Sequence, residues 1–204
     1  MKHLLYASAL ILLATCLTNC GQNKKEEAQI YDTIATDTVV EDVDISVYGT
    51  VLERSSGNML YITAYDEVDT FGIDLSQARV YGYIKAGDDV AVSLKSEYVA
   101  DNVIDISDLC HTWTIPDTAN NETNHMKFSE DKTLNCIIDG KNPFCAWELM
   151  NGKLLLKRTK KGLKQKDDKV SFSIHKLTSD SLVIVSDEIT FKMYNAGVVK
   201  HRRR

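Results

Sequence analysis

Beyond residue 13 the sequence has no long apolar run. The stretch from Leu4 to Leu13 is too short to cross a bilayer, which takes about 20 apolar residues. Long stretches of helical periodicity are also missing, which turns the reading of the body toward strands. Several signatures of chemistry are absent. There is no strained Gly-x-Ser-x-Gly elbow to expose a nucleophile and no glycine loop to cradle phosphate. Cys110, His111, His125, His175 and the remaining cysteines do not stand at a recognised ligand spacing. No metal and no cofactor is therefore expected, and each His reads as a surface residue or one satisfied within a strand. The carboxylate pairs Asp88-Asp89 and Asp167-Asp168 sit in turn-like segments, where Asp is favoured for backbone reasons. Together these absences point away from an enzyme.

What is present at the N-terminus is a basic start, Met1-Lys2-His3, followed by the short apolar run, which is the layout of a secretory signal. The segment Leu17-Thr18-Asn19-Cys20-Gly21 resembles the bacterial lipobox, with Leu three positions before the Cys and Gly after it. That resemblance implies lipidation at Cys20 and removal of residues 1–19. Asn19 departs from the usual small residue, and Cys16 is a rival acceptor. Polar sequence begins directly after Cys20, which favours it; an ordinary cleaved signal with incidental cysteines is the plainer alternative. Two or three acyl chains would hold the protein firmly at a membrane. Residues 20–44 then read as the lipidated Cys and a disordered acidic tether, rich in Thr and Asp with little to bury. Lys24-Lys25-Glu26-Glu27 resembles the charged export signal of surface lipoproteins in Bacteroidetes-type bacteria, or is simply a solvated charge cluster. The expected location is the cell envelope, most naturally the outer membrane, on its periplasmic or its surface side.

The body divides by charge into an acidic stretch, 45–100, and a basic one, 105–204, which favours a small β domain at 45–101 followed by a second at 106–198. In the first, Ile45–Leu52, Met59–Tyr65, Thr70–Leu75, Val80–Ile84 and Val90–Leu94 read as five short strands separated by turn signals. Gly49, Gly72 and Gly82 fall where tight barrel curvature wants glycine. Gly82, Gly87-Asp88 and Val90-Ala91-Val92 resemble an oligonucleotide/oligosaccharide-binding (OB) type barrel; a sandwich remains open. In the second, Met126–Phe128, Thr133–Ile138, Phe144–Met150, Lys153–Lys157, Val170–Leu177, Ser181–Ser186 and Ile189–Tyr194 form consecutive hairpins. Asn151-Gly152 is the strongest turn signal among them. Such a series makes an antiparallel up-and-down barrel, which removes sheet edges. The fold class expected is all-β.

Trp113, Phe128, Asp131-Lys132-Thr133, Trp147, Asn151-Gly152-Lys153-Leu154 and the run Ile174–Val183 are similar to the lipocalin-like lipoproteins of Bacteroides and relatives. The resemblance covers residues 108–196. It implies a β-barrel of about eight short strands on an exported lipoprotein, and no particular ligand. Lys132 departs from the pattern, in which Gly commonly fills that turn position; a type I turn would tolerate it.

Three cysteines remain after Cys20. Pairing across a hairpin centred on Gly140-Lys141 sets Cys136 opposite Cys145 at a non-hydrogen-bonded pair, where a cross-strand disulfide is geometrically feasible. The alternative is two small buried hydrophobes, and a four-residue turn would make the pair unsuitable. Trp147 is expected to point inward with Cys145 and Leu149. If side chains leave room, Trp113, Phe128, Trp147 and Leu149 would line a ligand cavity; otherwise they are core. Lys157, Arg158, Lys160, Lys161 and Lys164 make a basic loop that could contact an anionic surface or simply keep a hairpin tip soluble. Export excludes a cytoplasmic nucleic-acid role, and no aromatics interleave the cluster as base stacking would require. Two functions follow. One is an envelope lipoprotein whose barrel binds a small apolar or amphipathic molecule. The other is a non-enzymatic structural or interaction module that contacts an envelope protein or glycan.

Overall fold

The computed structural model describes residues 43–65, 69–116, 124–159, 169–195 and 197. Fourteen strands and one short helix occur among them, in agreement with the all-β expectation. The signal segment, Cys20, most of the tether and Lys160, Lys161 and Lys164 lie outside the described residues.

Six strands form the first sheet: β1 (Val47–Val51), β2 (Met59–Ala64), β3 (Thr70–Asp74), β4 (Arg79–Tyr81), β5 (Asp89–Ser96) and β6 (Val99–Asp105). Their order is β3-β2-β1-β5-β6-β4, and a parallel bridge between Asp74 and Val99 joins β3 to β6. That bridge turns five of the strands into a ring, β1-β2-β3-β6-β5 and back to β1. Gly49 is needed in it: a Cβ there would run into the Thr63 carbonyl of β2. Five strands were expected; β6 is the addition. Its Ala100-Asp101-Asn102 stretch interrupts the apolar pattern, which hid it.

Helix α1 (Ile106–Leu109) follows β6 directly. Asp105 caps it, its Oδ1 accepting from the Asp108 N–H at 2.9 Å. The second sheet then runs β7 (Thr112–Thr114), β8 (His125–Phe128), β9 (Leu134–Ile137), β10 (Phe144–Met150), β11 (Lys153–Arg158), β12 (Lys169–Leu177), β13 (Ser181–Val185) and β14 (Thr190–Asn195). The order β10-β11-β12-β13-β14-β7-β8-β9 is antiparallel throughout. A bridge between Thr133 and Ala146 and the Trp147 N–H donating to the Lys132 carbonyl at 3.0 Å bring β9 against β10. The result is a nearly closed eight-stranded barrel.

Turn chemistry sets the registers. Asn151 (φ 49°) and Gly152 (φ 74°) make the expected tight turn, with Met150 opposite Lys153. The β9–β10 turn is centred one residue earlier than expected, on Asp139 (φ 51°) and Gly140 (φ 67°), with Ile138 bridged to Lys141. Lys132 takes a left-handed φ of 66°. It ends a turn in which its own N–H donates to the Ser129 carbonyl at 3.0 Å, so it occupies a glycine-type position and not a neutral one in a type I turn. Its ammonium lies 4.2 Å over the Trp147 ring, a contact that offsets part of the strain.

Two buried clusters result. Val51, Leu60, Ile62, Ile73, Val90, Val92, Ala100 and Val103 fill the small ring. The larger cluster, inside the second barrel, also takes in Ala91, Ile104, Ile106 and Leu109. Strands β5 and β6 are therefore buried on both faces, and residues 42–204 form one unit.

Candidate functional site

Trp113, Phe128, Trp147 and Leu149 do converge in the barrel interior, as core. They retain 0, 1, 2 and 5 % of their surface, so space for even one water beside the first three is all but absent. Phe128 packs edge-on to Trp147 at 5.8 Å between ring centres, and Phe144 to Phe172 at 6.3 Å. Each indole finds an internal acceptor. Trp113 Nε1 donates to the Leu109 carbonyl at 3.0 Å and Trp147 Nε1 to that of Ser129 at 2.9 Å. Around these four residues the interior is filled by the protein's own side chains.

Of the two alternatives for Cys136 and Cys145, the disulfide is not formed; Cys110, Cys136 and Cys145 are all free thiols. Two features separate the pair. The shifted turn moves the register, and a bulge between Phe144 and Ala146 turns Cys145 outward while Trp147 and Leu149 point in. Cys136 is fully buried, and burial pushes its thiol up to about 12. Of the basic loop, Lys157 and Arg158 are described. Arg158 lies on the surface 3.9 Å from Glu188.

A polar groove of about 480 Å³ opens where the two barrels meet. On one wall are Arg79 and Tyr81 of β4 and Asn102 of β6; on the other, Lys153, Ser173 and His175 of β11 and β12. The Asn151-Gly152 turn forms its floor. This turn is clamped. Asn151 Oδ1 accepts from the Ile45 N–H at 3.0 Å, its Nδ2 donates to the Val43 carbonyl at 3.0 Å, and its N–H donates to Ser46 Oγ at 3.0 Å. Val43 and Asp44, counted with the tether in the sequence, thus belong to the folded body. The Tyr48 hydroxyl lies 2.6 Å from the Leu149 carbonyl oxygen and 2.7 Å from the Asp44 carboxylate. The Gly82 N–H donates to the Leu177 carbonyl at 3.0 Å. One main-chain bond, Gly82 to Leu177, therefore joins the two walls, and side-chain bonds fix the turn. Among the described residues Arg79, Tyr81 and His175 make no side-chain hydrogen bond or ion pair. Lys153 Nζ donates to Ser173 Oγ at 3.2 Å, and Asn102 Nδ2 to Asp101 Oδ2 at 2.6 Å.

Asp105 lies at the same junction, at the end of β6. It is fully buried, and its Oδ2 has no partner. Burial, reinforced by the charges of Asp108 and Asp88, pushes its carboxyl up to about 7 against the pull of the cap bond. Among the described residues no group of three or more His, Cys, Asp or Glu is placed to hold a metal.

Residues 105–196 match the family model described as lipocalin-like. The eight-stranded barrel is the structural counterpart of that match, and the family is one of generally non-enzymatic binding folds. Neither the curated proteins nor the solved structures yield a match to the chain. The groove residues were not legible as a site, because they come from four separated segments and are ordinary strand and turn residues. Asn151-Gly152 was the one local signal, and it read as a hairpin.

Proposed function

We propose that this protein is an exported, lipid-anchored envelope component that works as a non-enzymatic interaction module, making its contacts on the outside of its fused barrels. The anchor at Cys20 and the envelope location rest on the N-terminal sequence pattern. The observation that carries the outer-surface reading is the filled interior. Trp113, Phe128 and Trp147 are within 2 % of full burial, whereas a drug-sized ligand needs a cavity of about 300–1,000 Å³. The lipocalin-like match supports a second reading, in which the barrel accepts a small apolar or amphipathic molecule. Titration of the full chain in detergent with a fluorescent polyene fatty acid separates the two. The filled barrel predicts only micelle partitioning, without saturation at one equivalent. A saturable one-to-one site, lost on Leu149→Trp, would establish the carrier reading instead.

A further inference from the structure

We propose that the groove between the barrels is a binding site for a short acidic saccharide, a sugar chain bearing carboxylates. This rests on the reading of the outer surface as the working surface and names what that surface recognises. The volume, about 480 Å³, suits two or three sugar rings better than a polymer strand or a flat protein face. The lining is mainly polar, which argues against lipid. Arg79 and Lys153 supply two positive charges on opposite walls, against the one lining carboxylate, Asp101, which the Asn102 amide already engages at 2.6 Å. One carboxylated sugar therefore completes the charge pattern. Arg79, with no protein partner, has its planar fork free for a bidentate bond.

The remaining groups match hydroxyls. Asn102 retains its carbonyl oxygen as an acceptor. Ser173 accepts from Lys153 and keeps its own proton to donate. His175 and the Tyr81 hydroxyl are both unengaged. Tyr81 also offers a half-buried ring against which the apolar face of a sugar can lie. A phosphate site would want converging backbone N–H groups, and a nucleotide would want stacked aromatics; the groove presents a single aromatic ring. The Gly82–Leu177 bond joins the end of β4 to β12, and the Asn151–Val43 bond fixes the turn between them, so the site is formed before ligand arrives.

Calorimetric titration of the full chain in detergent with trigalacturonate tests the assignment, with maltotriose and triglutamate as controls. Trigalacturonate is expected to bind at one site. Maltotriose, lacking charge, and triglutamate, lacking ring hydroxyls, should each bind at least tenfold more weakly. Arg79→Gln and Lys153→Gln, both at exposed positions, should each weaken trigalacturonate about tenfold without changing the melting temperature, a charge-assisted hydrogen bond being lost in each case. No binding of trigalacturonate, equal binding of triglutamate, or affinity unchanged in Arg79→Gln would overturn it. Saturable fatty-acid binding alongside intact, Arg79-dependent trigalacturonate binding would remove the filled-barrel reading and leave the groove assignment standing.

Discussion

Two residues at the barrel junction show how local chemistry fixes this structure. Asp105 is retained because its Oδ1 caps α1, yet burial of the rest of its carboxyl is unfavourable. Its folded pKa, about 7, lies above the ordinary 3.8. The native state therefore holds a proton that the unfolded chain gives up across pH 4–7. Stability contributed by this group is fully present below pH 4, declines as pH rises through 7, and stays low above it. Asp105→Asn keeps an acceptor for the cap and removes the charge. The variant should gain on the order of a few kcal/mol over the parent at pH 8 and little at pH 4. Urea unfolding at the two pH values reads this; an equal difference at both would mean that the carboxyl is not the cause. Gly152 is constrained twice. Its φ is 74°, and an added Cβ would come within 2.9 Å of Asn102 Nδ2. Because the amide can shift, backbone strain dominates, and Gly152→Ala should cost about 1–2 kcal/mol. Thermal melting should show a drop of roughly 2–8 °C, and an unchanged midpoint would mean that the turn opens freely.

At the scale of elements, the hairpins of the second barrel were legible because each carries its own period-two pattern and turn residues. β10 and β13 fall within a residue of their expected limits. What was not legible was parity across irregularities. The bulge at Cys145 adds a residue to one strand, so counting back from Trp147 puts Cys145 on the wrong face. Asp139-Gly140 and Gly140-Lys141 are both plausible turn centres by composition. The choice between them moves Cys136 by two partners, which alone rules out the disulfide alternative. Lys132 illustrates a different limit: a left-handed backbone position is invisible when a non-glycine residue fills it, and here the ring of Trp147 beneath the ammonium helps to hold it. Strand β7 is short and isolated by the helix before it. It was marked only through Trp113, whose indole bond to Leu109 ties α1 to the barrel floor.

Across the whole molecule, the step from acidic to basic sequence suggested two domains, and the structure holds two buried clusters that share strands β5 and β6. Val90-Ala91-Val92 and Val103-Ile104 are unbroken apolar runs because alternate residues serve different barrels. Val90, Val92 and Val103 pack in the small ring, Ala91 and Ile104 in the large one. Such runs are the sequence mark of a strand covered on both sides. Each ring alone would expose an apolar face, which makes independent folding unfavourable. The body should therefore unfold in one transition. Both tryptophans lie in the second barrel, so their fluorescence reports that barrel, while far-ultraviolet circular dichroism reports all strands. The two signals should trace the same urea curve. Ile104→Ala, at a position 1 % exposed, should destabilise by about 2–5 kcal/mol and move both curves equally, although the residue belongs to the first sheet. A circular dichroism transition separated from the fluorescence one, or an Ile104→Ala shift confined to a single probe, would mean that the shared face is a docking contact between independent domains. The groove walls would then be free to part.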